Sequence, residues 1–168
     1  MDNERIMGRI SKPEYYLNIA KAVALRSTCV RRKYGAVIVK DDRIIATGYN
    51  GSARGEENCC DVGVCWREAH GIPHGEQYEK CVAVHAEDNA ISQAGRETIG
   101  ATLYLAGFED GEQIRARPCV MCRRKIKNAG IARIVCANEY GGFSAQSIDA
   151  KLDIDVRDML GRLCKEDE

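Results

Sequence analysis

Residues 36–47, AVIVKDDRIIAT, consist of two short apolar runs separated by a pair of aspartates. The runs at 36–39 and 44–47 are rich in β-branched residues, which favour strands over helices. Asp41 and Asp42 lie between them, at the position where a tight turn would reverse the chain. The stretch therefore predicts an antiparallel β-hairpin near the front of the domain.

Segments with helical and strand-like patterns alternate around this hairpin. Before it, Ser11 can cap a helix that runs to about Arg26, and after it the spacing of alanines at 83–94 predicts a helix that stops at Gly95. We further predict a strand at 102–105, a helix from 118 to before 130, a strand at 131–136, and a strand at 152–156 before a C-terminal helix. This alternation predicts an α/β fold in which a mixed sheet of about five strands carries helices on both faces.

Composition excludes several classes of protein. The 168 residues suit one domain, residues 1–168, and 25 basic residues balance 25 acidic ones to a net charge of zero. A nucleic-acid or lipid-binding surface normally shows a basic excess, so we expect neither partner. The longest uncharged stretch, 98–108, is about half of the ~20 residues that a membrane helix needs. Because the first ten residues, MDNERIMGRI, lack the apolar core of a secretory signal, we expect a cytoplasmic protein.

Nine cysteines are many for a chain of this length, and an odd number cannot pair completely within it. A reducing compartment would keep them as thiols, which makes metal ligation the better interpretation for several of them. Four of them lie in a stretch of about residues 51–82, here called the Cys-rich insertion, which shows no sustained period. So long a loop needs something to hold it in a compact domain.

Two short motifs have the spacing of a metal site. His85 precedes Glu87 by two residues, and Cys119 and Cys122 follow Pro118, each motif at a predicted helix start. One imidazole and two thiolates give three protein ligands and leave the fourth tetrahedral position to water, as in catalytic zinc sites. Taken alone, the first motif is common by chance, and the second also fits a redox pair or half of a structural zinc site. His85 and Glu87 can share one site only if a helix begins between them, since two residues turn a helix by about 200°.

Together these motifs resemble the cytidine and deoxycytidylate deaminase superfamily, and most of all its deoxycytidylate branch. The resemblance extends over roughly residues 12–140 in the family's order. The matching segments are Ser27-Thr28-Cys29, Gly35 to Val39, Thr47 to Gly51, Val84 to Glu87, Asn89 to Ile91, Gly100 to Tyr104, Pro118 to Cys122, Asn128 to Ile131, and Arg133 to Val135. This resemblance implies a three-layer αβα sandwich of the cytidine deaminase type.

The resemblance also implies a reaction, the zinc-dependent hydrolysis of dCMP to dUMP and ammonia. The implied ligands of the catalytic zinc are His85, Cys119 and Cys122. Glu87 is then the acid and base that moves protons, Asn50 contacts the sugar of the nucleotide, and Arg26 is our choice for the phosphate. The expected partner is thus a small nucleotide.

Several relatives hold a second, structural zinc, and the resemblance maps its ligands onto the remaining cysteines. The mapped positions are Cys29, Cys59, Cys65 and Cys81. His70 and His74 are alternatives for the last two, because some relatives use a histidine pair there. The other possibility is that these cysteines are free thiols on a mobile loop.

Regulation and assembly are further implications of the resemblance. The loop that starts at Gly48, Tyr49 and Gly51 resembles the place where related enzymes bind dCTP, with Mg²⁺, as an activator and dTTP as an inhibitor. Such regulation accompanies a homo-oligomer in the family, commonly a hexamer.

The chain departs from the family pattern at residues 107–117. These eleven residues separate two motifs that a short turn usually joins, and Arg117 occupies a position where the family often has Glu or Ser. The sequence therefore does not decide which base and which nucleotide form the protein accepts. A substrate with a different cytosine-type or pterin-like amine is also possible. A tRNA adenosine deaminase is disfavoured by the zero net charge. A zinc-stabilised binding protein without activity is disfavoured by Glu87, which a purely structural metal site would not need.

Overall fold

The structure of the protein, a computed structural model, describes residues 8–148. Its helices are α1 (Lys12–Ala24), α2 (Cys59–Val62), α3 (Trp66–Ala69), α4 (Ala86–Ala94) and α5 (Val120–Asn128). Its strands are β1 (Arg32–Lys40), β2 (Arg43–Tyr49), β3 (Gly51–Ser52), β4 (Ala83–Val84), β5 (Thr102–Glu109), β6 (Glu112–Ile114), β7 (Arg133–Ala137) and β8 (Phe143–Ser147). The strand and helix predicted after residue 148, and Cys164, lie outside the described residues.

The main sheet is mixed, as the alternation of elements predicts. Its strand order is β2-β1-β5-β7-β8, and the short β6 adds to β5. β5 and β7 run parallel, whereas the other neighbours are antiparallel. The hairpin of β1 and β2 is confirmed, and both turn residues, Asp41 and Asp42, have positive φ of 48° and 62°, as a tight hairpin turn requires.

Helices cover both faces of this sheet, which confirms the predicted three-layer α/β architecture. On one face, α1 packs Tyr16, Leu17 and Ala20 against alternate residues of β1, β5 and β7. On the other face, α4 and α5 bury Ala90 and Ile126 against the opposite side of the same strands. Because alternate residues of a strand point to opposite faces, the apolar run of β1 supplies both cores. Within residues 8–148, no helix is both long and apolar enough to span a membrane.

At two glycines of the sheet, Gly35 and Gly48, a helix packs so closely that its backbone touches the backbone of the strand. A Cβ at Gly35 would lie 2.1 Å from the carbonyl oxygen of Ala20 in α1. A Cβ at Gly48 would lie 2.4 Å from the carbonyl oxygen of Ala86, the first residue of α4. These separations are far below van der Waals contact, so any side chain at Gly48 would displace the start of α4.

The Cys-rich insertion is tied down at both ends rather than being a structureless loop. Its ends pair as the two-stranded sheet of β3 and β4, in which Gly51 is opposite Val84 and Ser52 opposite Ala83. Between these strands lie α2, α3 and a 3₁₀ turn at Tyr78–Lys80. The N–H of Cys60 also donates to the carbonyl of Thr28, 3.0 Å away, which fastens α2 to the segment that follows α1.

Residues 107–117 form an extension of the sheet. β5 continues to Glu109, turns at Asp110 and Gly111, and returns as β6, where Gly107 is paired with Ile114. The prediction of a strand ending at 105 was therefore too short. β8 was not predicted at all, because its five residues are exposed and carry no apolar alternation.

We expect Gly48→Ala to lower the free energy of unfolding by about 1–3 kcal/mol, because the new methyl group overlaps the backbone of α4. Denaturant unfolding followed by circular dichroism measures the change. Ser92→Ala, at an exposed position of the same helix, is the control and should leave stability within about 0.5 kcal/mol of wild type. An unchanged midpoint for Gly48→Ala would show that α4 does not rest on β2 in this way.

Candidate metal centre

The starts of α4 and α5 meet above the sheet, and each presents a potential metal ligand. His85 is the N-cap residue of α4 and Cys119 the N-cap residue of α5. The Nδ1 atom of His85 lies 3.5 Å from Sγ of Cys119 and 3.3 Å from Sγ of Cys122. Of all histidines, cysteines and acidic residues between 8 and 148, only these form a group of three whose ligand atoms lie within 4.8 Å of one another.

The geometry of this group fits zinc. A zinc–nitrogen bond of about 2.0–2.1 Å and a zinc–sulfur bond of about 2.3 Å, at the tetrahedral angle, separate the two donor atoms by about 3.6 Å. The two observed nitrogen–sulfur distances, 3.5 and 3.3 Å, are close to this value. Imidazole nitrogen with two sulfurs is also the donor set that zinc prefers. His85, Cys119 and Cys122 would thus hold the ion through three protein ligands.

Hydrogen bonding prepares these side chains for a cation. The Cys122 thiol and backbone N–H both donate to Sγ of Cys119, and the pKa of Cys119 falls to about 4, chiefly through the thiol. The same shared hydrogen bond, with burial, raises the pKa of Cys122. The hydrogen bond with Cys119 raises the pKa of His85. The lowered pKa and the positive end of α5 both favour the thiolate form of Cys119, which is the form that binds a metal.

Glu87 lies in the first turn of α4, beside the potential ligands but not among them. Since α4 begins after His85, the two side chains are not forced to opposite sides of a helix, which was the condition for a shared site. Glu87 is only 5% exposed and lines the same cavity as His85. Burial raises the pKa of its carboxyl group, which brings it towards the range of an acid and base that works near neutral pH.

Contacts outside the ligand set hold the two helix starts in place. Lys125 of α5 forms an ion pair with Asp88 of α4. The ring of Tyr78, from the Cys-rich insertion, meets the His85 ring edge to face, with 5.0 Å between ring centroids. Tyr78 is not predictable as a site residue from the sequence, since no pattern connects it with the His85 motif.

The metal centre lies in a cavity of about 570 Å³, a size typical of small-molecule sites. Glu87, Asn50 and Tyr34 line it. Five arginines also line it, from β1 and its approach, from α3, and from the segments around Cys119. They are Arg31, Arg32, Arg67, Arg117 and Arg123. The cavity can therefore hold a small molecule with negative charge.

The candidate substrate residues occupy different places. Asn50 is buried in the cavity wall, where its Oδ1 accepts from the Tyr34 N–H and the Ser27 hydroxyl, each at 2.7 Å, and its Nδ2 donates to the Arg32 carbonyl at 2.8 Å. One N–H of Asn50 is left for a ligand. Arg26 is exposed just after α1 and is not part of the cavity wall. The structure thus does not bring Arg26 to the other candidate residues. Ser27, in the Ser-Thr-Cys segment, is a supporting residue that the sequence analysis did not single out.

The four remaining candidate cysteines lie near one another. Cys29, Cys65 and Cys81 line the cavity, and Cys59 is buried nearby. Burial raises the pKa of Cys59, and the charges of Cys29, Cys65 and Cys81 raise it further, so each of these three lies within electrostatic range of Cys59. Their sulfurs are not as close together as those of the metal centre.

The histidine alternatives are placed differently. His70 is exposed, stacks on Trp66 and has its Nδ1 2.7 Å from the Trp66 carbonyl. His74 lines the cavity and lies among arginines, which would oppose a cation. Neither histidine lies in the metal group described above.

The candidate effector residues have packing roles of their own. The lack of a side chain at Gly48 lets α4 pack against β2. A Cβ at Gly51 would lie 2.4 Å from Oγ1 of Thr28. Tyr49 is exposed, and its carbonyl accepts a hydrogen bond from the Asn89 side chain at 2.8 Å. Among these three residues, Tyr49 offers the side chain that a bound molecule could reach.

Comparison with known families identifies a matching zinc site. The model of the cytidine and deoxycytidylate deaminase zinc-binding region matches residues 10–138. The deoxycytidylate deaminase of Mycobacterium phage D29 is 42% identical over 139 residues, which cover 79% of this chain and 99% of the phage protein. The deoxycytidylate deaminase of Schizosaccharomyces pombe is 38% identical over 134 residues, which cover 79% of this chain but 38% of the yeast protein. The chain thus spans well under half of the yeast relative.

Solved structures show the same architecture. The dCMP deaminase of cyanophage S-TIM5, in complex with dCMP and dUMP, superposes with a TM-score of 0.53 at 25% identity, over 75% of this chain and 82% of that one. The cytidine deaminase of Burkholderia pseudomallei has a TM-score of 0.53 at 18% identity, over 82% of this chain and 93% of that one, and supports the fold alone.

Proposed function

The chain belongs to the cytidine and deoxycytidylate deaminase family, and from this premise we propose that it hydrolyses dCMP to dUMP and ammonia. The phage relative that it matches over nearly its full length is named a deoxycytidylate deaminase. The structure of the cyanophage dCMP deaminase contains dCMP and dUMP, the substrate and product of this reaction. The altered segment at 107–117 contains none of the metal ligands, and most of it forms the hairpin of β5 and β6.

One observation carries this proposal, the convergence of three metal ligands and one buried carboxyl group at the wall of a single cavity, which His85, Cys119 and Glu87 line. His85, Cys119 and Cys122 account for the ion, so Glu87 remains available for proton transfer. A protein that needed zinc only for stability would have no use for a buried, uncoordinated carboxyl group, whose desolvation is unfavourable. The site therefore favours hydrolysis over a purely structural role.

When bound, zinc supplies a nucleophile at neutral pH, because it lowers the pKa of water from about 15.7 to about 7. Glu87 accepts the proton that the water loses and delivers it to N3 of cytosine, which makes C4 more electrophilic. The remaining hydroxide oxygen forms a bond to C4, after which Glu87 takes the proton of this new hydroxyl group and passes it to the amino group. The C4–N bond then breaks to release ammonia, and N3 keeps its proton in the uracil product. The raised pKa of Glu87 suits a group that must both take and give this proton. The N–H of Asn50 that has no protein acceptor is available to the sugar.

Replacing Glu87 by Gln should lower kcat for dCMP by about 10²–10⁴-fold, because the amide keeps the shape of the side chain but cannot shuttle a proton. Ammonia release measures the rate, and metal analysis should show zinc content equal to wild type. Glu97→Gln, at an exposed residue outside the cavity, is the control and should keep full activity.

The same assay on dCMP, dCTP, deoxycytidine and tRNA tests the substrate. Release of ammonia from none of them by the wild-type protein would exclude a deaminase. Release from tRNA alone would favour the adenosine deaminase alternative. Full turnover of dCMP by Glu87→Gln would contradict the role of Glu87.

We also propose a second zinc, held by Cys29, Cys59, Cys65 and Cys81. Support comes from the proximity of Cys29, Cys65 and Cys81 to Cys59 and from the Cys-rich insertion itself, whose ends are paired by β3 and β4 but which has only short helices in between. A structural zinc with four ligands would stabilise such a segment. His70 and His74 fit this role less well, given the stacking of the one and the cationic surroundings of the other.

Metal counting separates the two zinc sites. We expect two zinc ions per wild-type chain, and one each for Cys81→Ser and Cys122→Ser, because each variant loses a ligand of a different site. Cys81→Ser should also lower the melting temperature, whereas the exposed neighbour Cys60→Ser, as control, should keep both ions and full stability. Two ions in Cys81→Ser, with unchanged melting, would contradict the second site.

We further propose that dCTP, with Mg²⁺, and dTTP regulate a cytoplasmic homo-oligomer through the loop that begins at Gly48 and Tyr49. Its support is the resemblance to regulated family members and the exposed ring of Tyr49. The eight cysteines between residues 8 and 148 are all unpaired thiols, which suits a reducing compartment. Light scattering and dCMP turnover, each with and without dCTP and dTTP, test this. A monomer whose rate ignores both nucleotides would contradict it.

A further inference from the structure

Two arginines in the cavity wall have buried nitrogen atoms without a partner. Arg67 of α3 is only 5% exposed, and its Nε is buried without a hydrogen-bond acceptor, as is Nη1 of Arg31. No carboxylate among residues 8–148 forms an ion pair with either of them, whereas Arg32 is paired with Glu109 at 2.8 Å. Arg67 is buried and Arg31 is partly buried, and a guanidinium with buried nitrogens and no counter-ion is unfavourable, so these two groups call for an anion that the described residues do not provide.

Neutral groups hold Arg67 in position. Its Nη2 donates to the carbonyl oxygens of Pro73, at 2.9 Å, and of Glu76, at 2.6 Å. Its guanidinium lies over the ring of Tyr78, 4.5 Å from the ring centroid. These contacts orient the side chain but leave its charge uncompensated and its Nε unused. The arrangement is typical of a guanidinium that is preorganised for an anionic ligand.

The charge of the cavity is positive although the chain as a whole is neutral. Five arginines line the cavity against two carboxylates, those of Glu79 and Glu87. The positive charge also acts on His74 in the same wall. Burial lowers the pKa of His74, and Arg32, Arg31 and Arg67 lower it further. The low-dielectric protein around a cleft concentrates this positive field inside it, which favours the entry of an anionic molecule.

Arg67 is separated from the metal ligand His85 by about the width of one aromatic ring. The ring of Tyr78 lies between Arg67 and His85, in contact with both. A nucleotide likewise places its sugar between the amino-bearing ring, which must reach Glu87, and the phosphate. The cavity thus offers a metal at one position and a cationic group one aromatic ring away.

We propose that Arg67 and Arg31 bind the 5′-phosphate of the nucleotide substrate and determine the preference for dCMP over deoxycytidine. This inference rests on the proposed function. It assigns the recognition of phosphate to the Cys-rich insertion and to the residue that precedes β1, rather than to Arg26. Because Arg67 lies two residues after Cys65 and contacts Tyr78, the fold of the insertion sets the position of the phosphate site.

The test compares the effect of removing the phosphate from the ligand with that of removing an arginine from the protein. We would measure kcat/KM for dCMP and deoxycytidine, and binding of dUMP and deoxyuridine by calorimetry, in the zinc-loaded enzyme. Arg31→Met and Arg67→Met should each reduce the nucleotide-to-nucleoside ratio by about 10–100-fold, the value of one charged hydrogen bond. The kcat/KM for deoxycytidine should fall by less than that for dCMP in Arg31→Met, since deoxycytidine has no phosphate for this side chain to bind.

Three further variants sharpen the comparison. Arg67→Lys, which keeps the charge but not the planar fork, should recover part of the ratio. Arg43→Met, at an exposed arginine outside the cavity, is the control and should keep the wild-type ratio. Arg26→Met should do the same, since that side chain is not part of the cavity wall.

Each result separates this inference from the proposed function. A wild-type ratio in both Arg31→Met and Arg67→Met overturns the phosphate site while dCMP turnover by wild type upholds the function. A fall in the ratio for Arg26→Met alone would also overturn it. If wild-type protein binds dUMP but turns over no cytosine substrate, the function fails, and the binding ratios still decide whether Arg31 and Arg67 hold the phosphate.

Discussion

Two helix N-termini meet at the metal centre, and their meeting brings the three ligand atoms together. His85 and Cys119 are the N-cap residues of α4 and α5, so each stands at the positive end of a helix. That position favours the thiolate, and it leaves backbone N–H groups to support the sulfur, as the N–H of Cys122 does. If either helix began one turn earlier or later, the three ligand atoms could not share an ion. Gly48 sets the start of α4, because only a glycine lets that helix lie directly on β2.

Burial then separates the roles of the charged groups in one cavity. The ligand set takes up a cation with one histidine and two sulfurs, while Glu87 is buried beside it with a raised pKa. Elsewhere in the same cavity, arginines dominate the wall. The opposite characters of these two regions match the two ends of a nucleotide, a base that needs proton transfer and a phosphate that needs positive charge.

The Cys-rich insertion is part of this cavity rather than an appendage to the domain. It contributes Tyr78, which contacts His85, and Arg67, which lies over Tyr78. Two of its cysteines, Cys65 and Cys81, line the same cavity. β3 directly follows Asn50 and β4 directly precedes His85, so the ends of the insertion adjoin two residues of the site. A change in the fold of the insertion would therefore shift the position of His85. Through this connection, the proposed second zinc in the insertion would also affect the metal centre.

Local patterns in the sequence determined the hairpin of β1 and β2, the helices α1, α4 and α5, and the metal motifs, because periodicity, caps and ligand spacing are properties of neighbouring residues. Long-range contacts decided the rest. β8 exists only because β7 offers it an edge, and β3 and β4 pair across about thirty residues. The phosphate-facing arginines were equally hidden, since Arg31 and Arg67 lie far apart in sequence and resemble many exposed arginines. Their buried, unpartnered nitrogens, and the exposed position of Arg26, result from the folding of distant segments around one cavity.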